Sequence, residues 1–253
     1  MVKIDGKAFS QVILEKIREE HNQLKEKYGK QAGLAVVIVG NNPASQVYVR
    51  NKIKVCENVG FYSENIELDE NISEEELLQE INKLNKNDRI NGILVQLPLP
   101  SHINELKIID SISPEKDVDG FHVVNIGKMV IGDETGFLSC TPYGIMQLLE
   151  EYKIEIAGKD AVIIGRSNIV GKPMALMLIQ KGATVQVCNS CTKDLRKKLN
   201  DADIIIVAAG VPKLLKKEDV KEGAVVIDVG INIDENGNIY LVYSNSNLMK
   251  ILS

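Results

Sequence analysis

Apolar runs and amphipathic stretches alternate along the chain. Gly33-Leu34-Ala35-Val36-Val37-Ile38-Val39 is a continuous apolar run closed by the turn residues Gly40-Asn41-Asn42-Pro43, as expected of a strand buried on both faces. A helical stretch follows to about Val59, then a strand over Tyr62 to Leu68. Ser73-Glu74-Glu75-Glu76 is a capping box, opening a helix with Leu77, Leu78, Ile81 and Leu84 on one face. Gly92-Ile93-Leu94-Val95-Gln96-Leu97 is the next strand. This β-α-β-α-β order predicts a mostly parallel sheet covered on both sides.

A loop-rich region from Ser113 to Gly136 separates this run from a second one. Thr141-Pro142 reads as an N-cap followed by proline at the first helical position. Strands are then expected at Ala161 to Ile164, Thr184 to Cys188, Asp203 to Ala208 and Ala224 to Asp228, with a helix from about Gly171. The boundary falls near residue 139. The fold class is therefore α/β, with two α/β domains over 1–139 and 140–253, the second with the strand–helix alternation of a Rossmann-like fold.

Composition narrows the function. Hydrophobic residues make up 44% of 253 residues, enough for sizeable cores. With 30 basic and 35 acidic residues the net charge is −5, and there is no Trp. That argues against a nucleic-acid partner. No apolar run approaches the roughly eighteen residues of a membrane span, and the charged start Met1-Val2-Lys3-Ile4-Asp5 has no signal core, so a cytoplasmic location without membrane attachment is expected. Cys188 and Cys191 form a lone C-x-x-C, far in sequence from His21, His102 and His122. No metal and no redox role is expected of them.

Gly165-Arg166-Ser167-Asn168-Ile169-Val170-Gly171-Lys172-Pro173 lies directly after a strand and before a helix. Such a turn presents unpaired N–H groups and the positive helix end to a phosphate. It is not a Walker A loop, because Pro173 stands where a Ser or Thr would bind magnesium. The following strand ends Cys188-Asn189-Ser190-Cys191-Thr192, without the acid that holds an NAD ribose, whereas Arg166 and Ser190 suit a 2′-phosphate. The loop thus reads either as a dinucleotide site, for which NADP is then expected over NAD, or as an ordinary βα turn with Arg166 a solvated loop charge.

In the first half, Tyr48 and Lys52 are spaced i,i+4, and Val55, Cys56 and Val59 continue their face, which predicts an inward stripe containing a lysine. Such a lysine is a candidate proton-handling group; a lysine snorkelling at the core rim is the alternative. Gln96 interrupts an apolar run at a strand's C-terminal end, where ligands of open α/β sheets bind. Asp117-Val118-Asp119-Gly120-Phe121 places two carboxylates in one turn.

Together with Gln96-Leu97-Pro98-Leu99-Pro100, Thr141-Pro142 and Val226-Ile227-Asp228-Val229-Gly230-Ile231-Asn232, these segments resemble the bifunctional methylenetetrahydrofolate dehydrogenase/methenyltetrahydrofolate cyclohydrolase family, from Ile4-Asp5-Gly6-Lys7 to about Gly237. The resemblance implies two α/β domains around a cleft, with tetrahydrofolate derivatives held by the first and NADP by the second. It implies Lys52, Tyr48, Gln96 and Asp119 as catalytic residues, with Ser45, Tyr48, Val95 and Asp119 against the folate. Gln96 would hydrogen-bond Lys52, and Asp119 would hold the pterin. Gly165, Arg166, Ser167, Ile169, Ser190 and Ile231 would hold NADP. It also implies a homodimer.

Two departures stand out. Asn189 occupies the position of a usual histidine, and Cys191 that of a frequent basic residue. After Gly237 the family continues to a Pro-Gly-Gly-Val-Gly-Pro-Met-Thr loop and a long helix, whereas this chain reads Asn238-Ile239-Tyr240-Leu241-Val242-Tyr243 and on to Ser253. The alternative expectation is thus a truncated NADP-binding protein with little or no catalysis.

Overall fold

The structure is a computed structural model and describes residues 4–211, 214–230, 232–233, 239–240 and 249–250. It divides into two units, one over Ser10–Leu138 and the other formed by the residues before it and those from Ser139 onward. Part of the reason the earliest residues group with the later ones is a hydrogen bond from the Asp5 N–H to the Tyr152 hydroxyl, 2.7 Å.

Helix α1 (Gly6–Tyr28) leads into the Ser10–Leu138 unit, followed by β1 (Gly33–Val39), α2 (Pro43–Val59), β2 (Tyr62–Leu68), α3 (Glu74–Asn85) and β3 (Gly92–Val95). The three strands pair in parallel in the order β2-β1-β3. The continuous apolar run of β1 is explained by its two covered faces. Ala35, Val37 and Val39 pack with Ile93 and Val95 under Leu77, Ile81 and Leu84 of α3. Val36, Ile38 and Leu94 pack on the other face against Val49 and Ile53 of α2. Each such buried Val, Leu or Ile side chain contributes roughly 1.5–3 kcal/mol. The capping box of α3 is complete: the Glu76 N–H donates to Ser73 Oγ (3.2 Å) and the Ser73 N–H to Glu76 Oε2 (3.0 Å). At the other end of α3, Lys116 Nζ donates to the carbonyls of Leu84, Asn85 and Asn87, where a cation offsets the negative helix end.

Helix α4 (Glu105–Ser111) lies just before the region expected to be loop, and α5 (Val123–Ile131) lies within it. The second helix inverts the amphipathic pattern: Val123, Val124, Val130 and Ile131 are exposed while Asn125 is buried. The polar side chain faces inward because its amide finds buried hydrogen-bond partners there.

In the other unit, α6 (Cys140–Glu151) begins one residue before Thr141 and is flanked by Ser139, so Pro142 sits inside the first turn. That position is tolerated because first-turn N–H groups have no intrahelical partner. Then come β4 (Asp160–Ile164), α7 (Gly171–Gln180), β5 (Thr184–Cys188), α8 (Leu195–Leu199), β6 (Ile204–Val207) and β7 (Val225–Asp228). Short strands β8 (Asn232–Ile233), β9 (Ile239–Tyr240) and β10 (Met249–Lys250) complete the described elements. The parallel sheet runs β10-β7-β6-β4-β5, with Val162, Ile164, Ile205, Val207 and Val226 in its core.

Both sheets share one topological property. The chain leaves β1 for β2 on one side and returns to β3 on the other; likewise it leaves β4 for β5 and returns to β6. A reversal of this kind opens a crevice beyond the carboxyl ends of the central strands, where α/β proteins bind ligands.

Candidate active site

Beyond the β1–β3 switch point, three segments converge. Helix α2 begins after the turn that closes β1, and Asn42 Oδ1 accepts the Ser45 N–H at 3.1 Å, fixing the first turn. Ser45 is buried there. One and two turns on, Tyr48 and Lys52 are half-buried. The buried stripe of α2 consists of Val49, Cys56 and Val59, with Ile53 packed against the core. Val55 is 41% exposed, which corrects the expected stripe. Lys52 therefore lies on the flank of the apolar face, at its rim.

From there Lys52 Nζ donates to Gln96 Oε1 at 3.4 Å. Gln96 follows β3 immediately, and its own N–H still donates to the Val37 carbonyl (2.8 Å), so the sheet holds its backbone. The side-chain Nε2 donates to the Leu97 carbonyl, 2.8 Å. With the NH₂ group committed, Oε1 is the atom that faces the lysine. The ammonium group has three protons, so the bond to Gln96 leaves others to meet a reacting group. The Val95 side chain packs in the core under α3, on the sheet face opposite α2.

Asp119 reaches the same end of the sheet by another route. Residue 117 forms a parallel bridge with Ile93 of β3, and the Ile93 N–H donates to the Lys116 carbonyl at 2.7 Å. Two residues further, Asp119 is half-exposed whereas Asp117 is 1% exposed. The two carboxylates of this turn thus have different environments, a distinction invisible in the sequence. Lys52, Gln96 and Asp119 come from three segments that the parallel sheet gathers beyond one strand end.

The second site is the turn after β4. Gly165 has φ of 128°, and a Cβ there would lie 2.4 Å from the Ala208 carbonyl oxygen; a Cβ on Gly171 would lie 2.2 Å from the Gly165 oxygen. Only glycine lets the loop fold this tightly. Ser167 Oγ accepts the N–H groups of Val170 (3.1 Å) and Gly171 (3.3 Å), which leaves its hydroxyl proton as a donor outward. Lys172 Nζ donates to Asn168 Oδ1, 2.7 Å. Arg166 and Ile169 are exposed at the rim. The Gly165 N–H donates to the Cys188 carbonyl (2.8 Å), tying this loop to the end of β5, and Ser190 is exposed on the adjoining turn. Asn189 closes that turn, accepting the Cys191 N–H on Oδ1 and donating its own N–H to Thr192 Oγ1. No carboxylate stands at the end of β5, where Cys188 is buried and Cys191 exposed. Glycines that a Cβ would block, a serine donor and an exposed arginine fit a phosphorylated dinucleotide. Ile231 lies outside the described residues. Among the described residues no cluster of His, Cys, Asp or Glu is disposed to hold a metal ion, and no helix is long and apolar enough to cross a membrane.

Residues 4–119 match the model of the tetrahydrofolate dehydrogenase/cyclohydrolase catalytic domain, and residues 139–243 match that of the same enzymes' NAD(P)-binding domain. The chain belongs to the tetrahydrofolate dehydrogenase/cyclohydrolase family. Within that family it is 55% identical over 239 residues to the bifunctional protein FolD of Campylobacter jejuni subsp. doylei, covering 94% of this chain and 84% of the relative. The crystal structure of the bifunctional FolD methylenetetrahydrofolate dehydrogenase/cyclohydrolase from Campylobacter jejuni superposes with a TM-score of 0.96 at 51% identity, over 100% of this chain and 91% of that one. The Trypanosoma brucei methylenetetrahydrofolate dehydrogenase-cyclohydrolase, solved with NADP and an inhibitor, superposes with a TM-score of 0.94 at 35% identity, over 99% of this chain and 90% of that one.

Proposed function

We propose that this member of the family oxidises methylenetetrahydrofolate to methenyltetrahydrofolate with NADP, and hydrolyses the product to formyltetrahydrofolate, using Lys52 in both steps. The observation that carries the reading is the Lys52–Gln96 pair at a sheet switch point, in a chain whose relatives are bifunctional FolD proteins.

Lys52 is the proton-handling group. In the oxidation it orients the folate; in the hydrolysis it moves a proton as water adds to the methenyl carbon. Gln96 holds the amine by its carbonyl oxygen and so sets where the lysine's proton or lone pair points. Tyr48, one turn before Lys52, packs against the folate, Asp119 accepts hydrogen bonds from the pterin, and Ser45 with the Val95 backbone closes the same pocket. In the other unit, Gly165, Ser167 and Ile169 hold the dinucleotide, while Arg166 and Ser190 take its 2′-phosphate. NADP, when bound, supplies the hydride acceptor that the protein lacks. The T. brucei relative solved with NADP supports this choice, as does the missing acid at the end of β5. A cytoplasmic homodimer completes the reading.

The test is direct. The purified chain is given methylenetetrahydrofolate and NADP, and methenyl absorbance is followed with NADP binding measured in parallel. Turnover followed by decay of the methenyl signal supports the proposal. NADP binding without turnover supports the alternative of a binding protein that does little chemistry.

A further inference from the structure

The turn that carries Asp119 contains a second carboxylate to which neither the family resemblance nor the proposed function gives a role. Asp117 is 1% exposed. Its Oδ2 accepts two hydrogen bonds, from the His122 N–H at 2.8 Å and from Asn125 Nδ2 at 2.9 Å. Both donors are themselves buried, His122 at 7% and Asn125 at 2%. Asn125 extends the network: Nδ2 also donates to the Pro114 carbonyl (2.9 Å), and Oδ1 accepts the Phe137 N–H (3.3 Å). His122 Nδ1 accepts the Val124 N–H at 3.0 Å, capping α5.

The backbone on the other side of Asp117 is equally constrained. It bridges to Ile93, and its own carbonyl accepts the Gly120 N–H at 3.2 Å, with Gly120 at φ of 68°. The segment Pro114–His122 is thus pinned to β3 on one side and to α5 on the other. The centre of both attachments is Asp117. Asp119 lies inside the clamped turn, half-exposed at its apex.

Burying a carboxylate costs free energy unless it is fully hydrogen-bonded, and a buried amide such as Asn125 has the same requirement. A hydrophobic residue at position 117 would spare that cost, so holding the turn by charge-assisted bonds is a choice of geometry over stability. We infer that Asp117 is a positioning residue for the folate reaction: by clamping the turn between β3 and α5 it sets the place of Asp119 against the substrate. The inference rests on the reading of Asp119 as a substrate-binding residue. It also accounts for the inverted pattern of α5, whose Asn125 faces inward to serve the clamp.

The experiment compares Asp117→Asn, Asn125→Ser and Asp119→Ala in the full chain, below the melting temperature of each. The readouts are KM and kcat for both reactions, the NADP Kd and a double-mutant cycle. Misplacement of a binding group by about 1 Å weakens transition-state binding by an order of magnitude or more. Asp117→Asn and Asn125→Ser are therefore expected to raise the folate KM roughly tenfold with the NADP Kd unchanged, and to add nothing when combined with Asp119→Ala. If Asp117→Asn does not fold, Asn125→Ser decides. A lowered melting temperature with an unchanged KM, or effects that add to those of Asp119→Ala, overturns the proposal. An unchanged KM in Asp119→Ala itself overturns the reading beneath it, and the proposal with it.

Discussion

Gly171→Ala tests the nucleotide loop most sharply, because the obstacle is backbone on every side. The added Cβ would lie 2.2 Å from the Gly165 oxygen, 2.6 Å from the Gly165 carbonyl carbon and 2.9 Å from Arg166 Cα. Ordinary contact begins at 3.4 Å, so the loop must move by more than 1 Å, and no side chain can rotate away to spare it. Overpacking of this kind costs about 1–3 kcal/mol. Alanine gives back up to about 1 kcal/mol through lower unfolded-state entropy and better helix propensity. The net expectation is a loss of about 1–2 kcal/mol in urea unfolding. The larger effect is on NADP, since the displaced segment is the turn proposed to bear its phosphates. Losing one hydrogen bond to a charged group costs about 1.5–3 kcal/mol, which is roughly 10- to 100-fold in Kd. Calorimetric titration with NADP measures it. A variant that binds NADP as the parent does, with an unchanged unfolding midpoint, would refute the idea that close approach at Gly171 shapes the site.

Gly127 provides the opposite case: it lies within α5 with nothing within 4 Å of its Cβ position, so Gly127→Ala should raise stability by about 0.5–1 kcal/mol in urea unfolding. Hydrogen bonds from the Ser73 N–H and then the Ser73 hydroxyl hold the Glu76 carboxyl below its ordinary range. A depressed folded-state pKa gives stability that is present above the unfolded value of about 4.3 and lost as pH falls through the folded value. The stability gap between the parent and Glu76→Gln should therefore be constant near neutrality and shrink toward pH of about 3, and a gap independent of pH would contradict this. Burial, with Glu57 beside it, pushes the Cys56 thiol up, and Cys188 is also buried, whereas Cys140 and Cys191 are exposed. Iodoacetamide on the folded protein should therefore modify Cys140 and Cys191 first, read by peptide mass spectrometry.

The parallel strands were legible because most are short apolar runs bounded by turn residues, and β1, β2 and β5 have the bounds expected of them. The capping box marked the start of α3 to the residue. Legibility failed where tertiary partners override local pattern. Helix α5 turns Asn125 inward and valines outward, so its apolar face points away from the core that a sequence pattern would assign to it. Val55 belongs to the stripe by spacing, yet the sheet meets α2 along Val49 and Ile53 instead. Within the site, the lysine and its glutamine were recognisable by type and motif, but the commitment of Gln96 Nε2 to Leu97, which orients the pair, needs three dimensions. The same holds for the two aspartates of one turn. Sequence showed two carboxylates; packing made one a clamp and left the other at the apex.

One amine, that of Lys52, is proposed to serve both reactions. Lys52→Met keeps a flexible apolar side chain on α2 and removes the group that reaches Gln96. The decisive measurement takes the dehydrogenase and cyclohydrolase activities of the purified variant separately, from methylenetetrahydrofolate and from methenyltetrahydrofolate, with NADP affinity as the control for folding. A positioned proton-handling group is worth about 10²- to 10⁴-fold. The predicted result is a loss of that size in cyclohydrolase activity, a large fall in dehydrogenase activity, and an NADP Kd equal to the parent's. Cyclohydrolase activity that survives in Lys52→Met would contradict the claim.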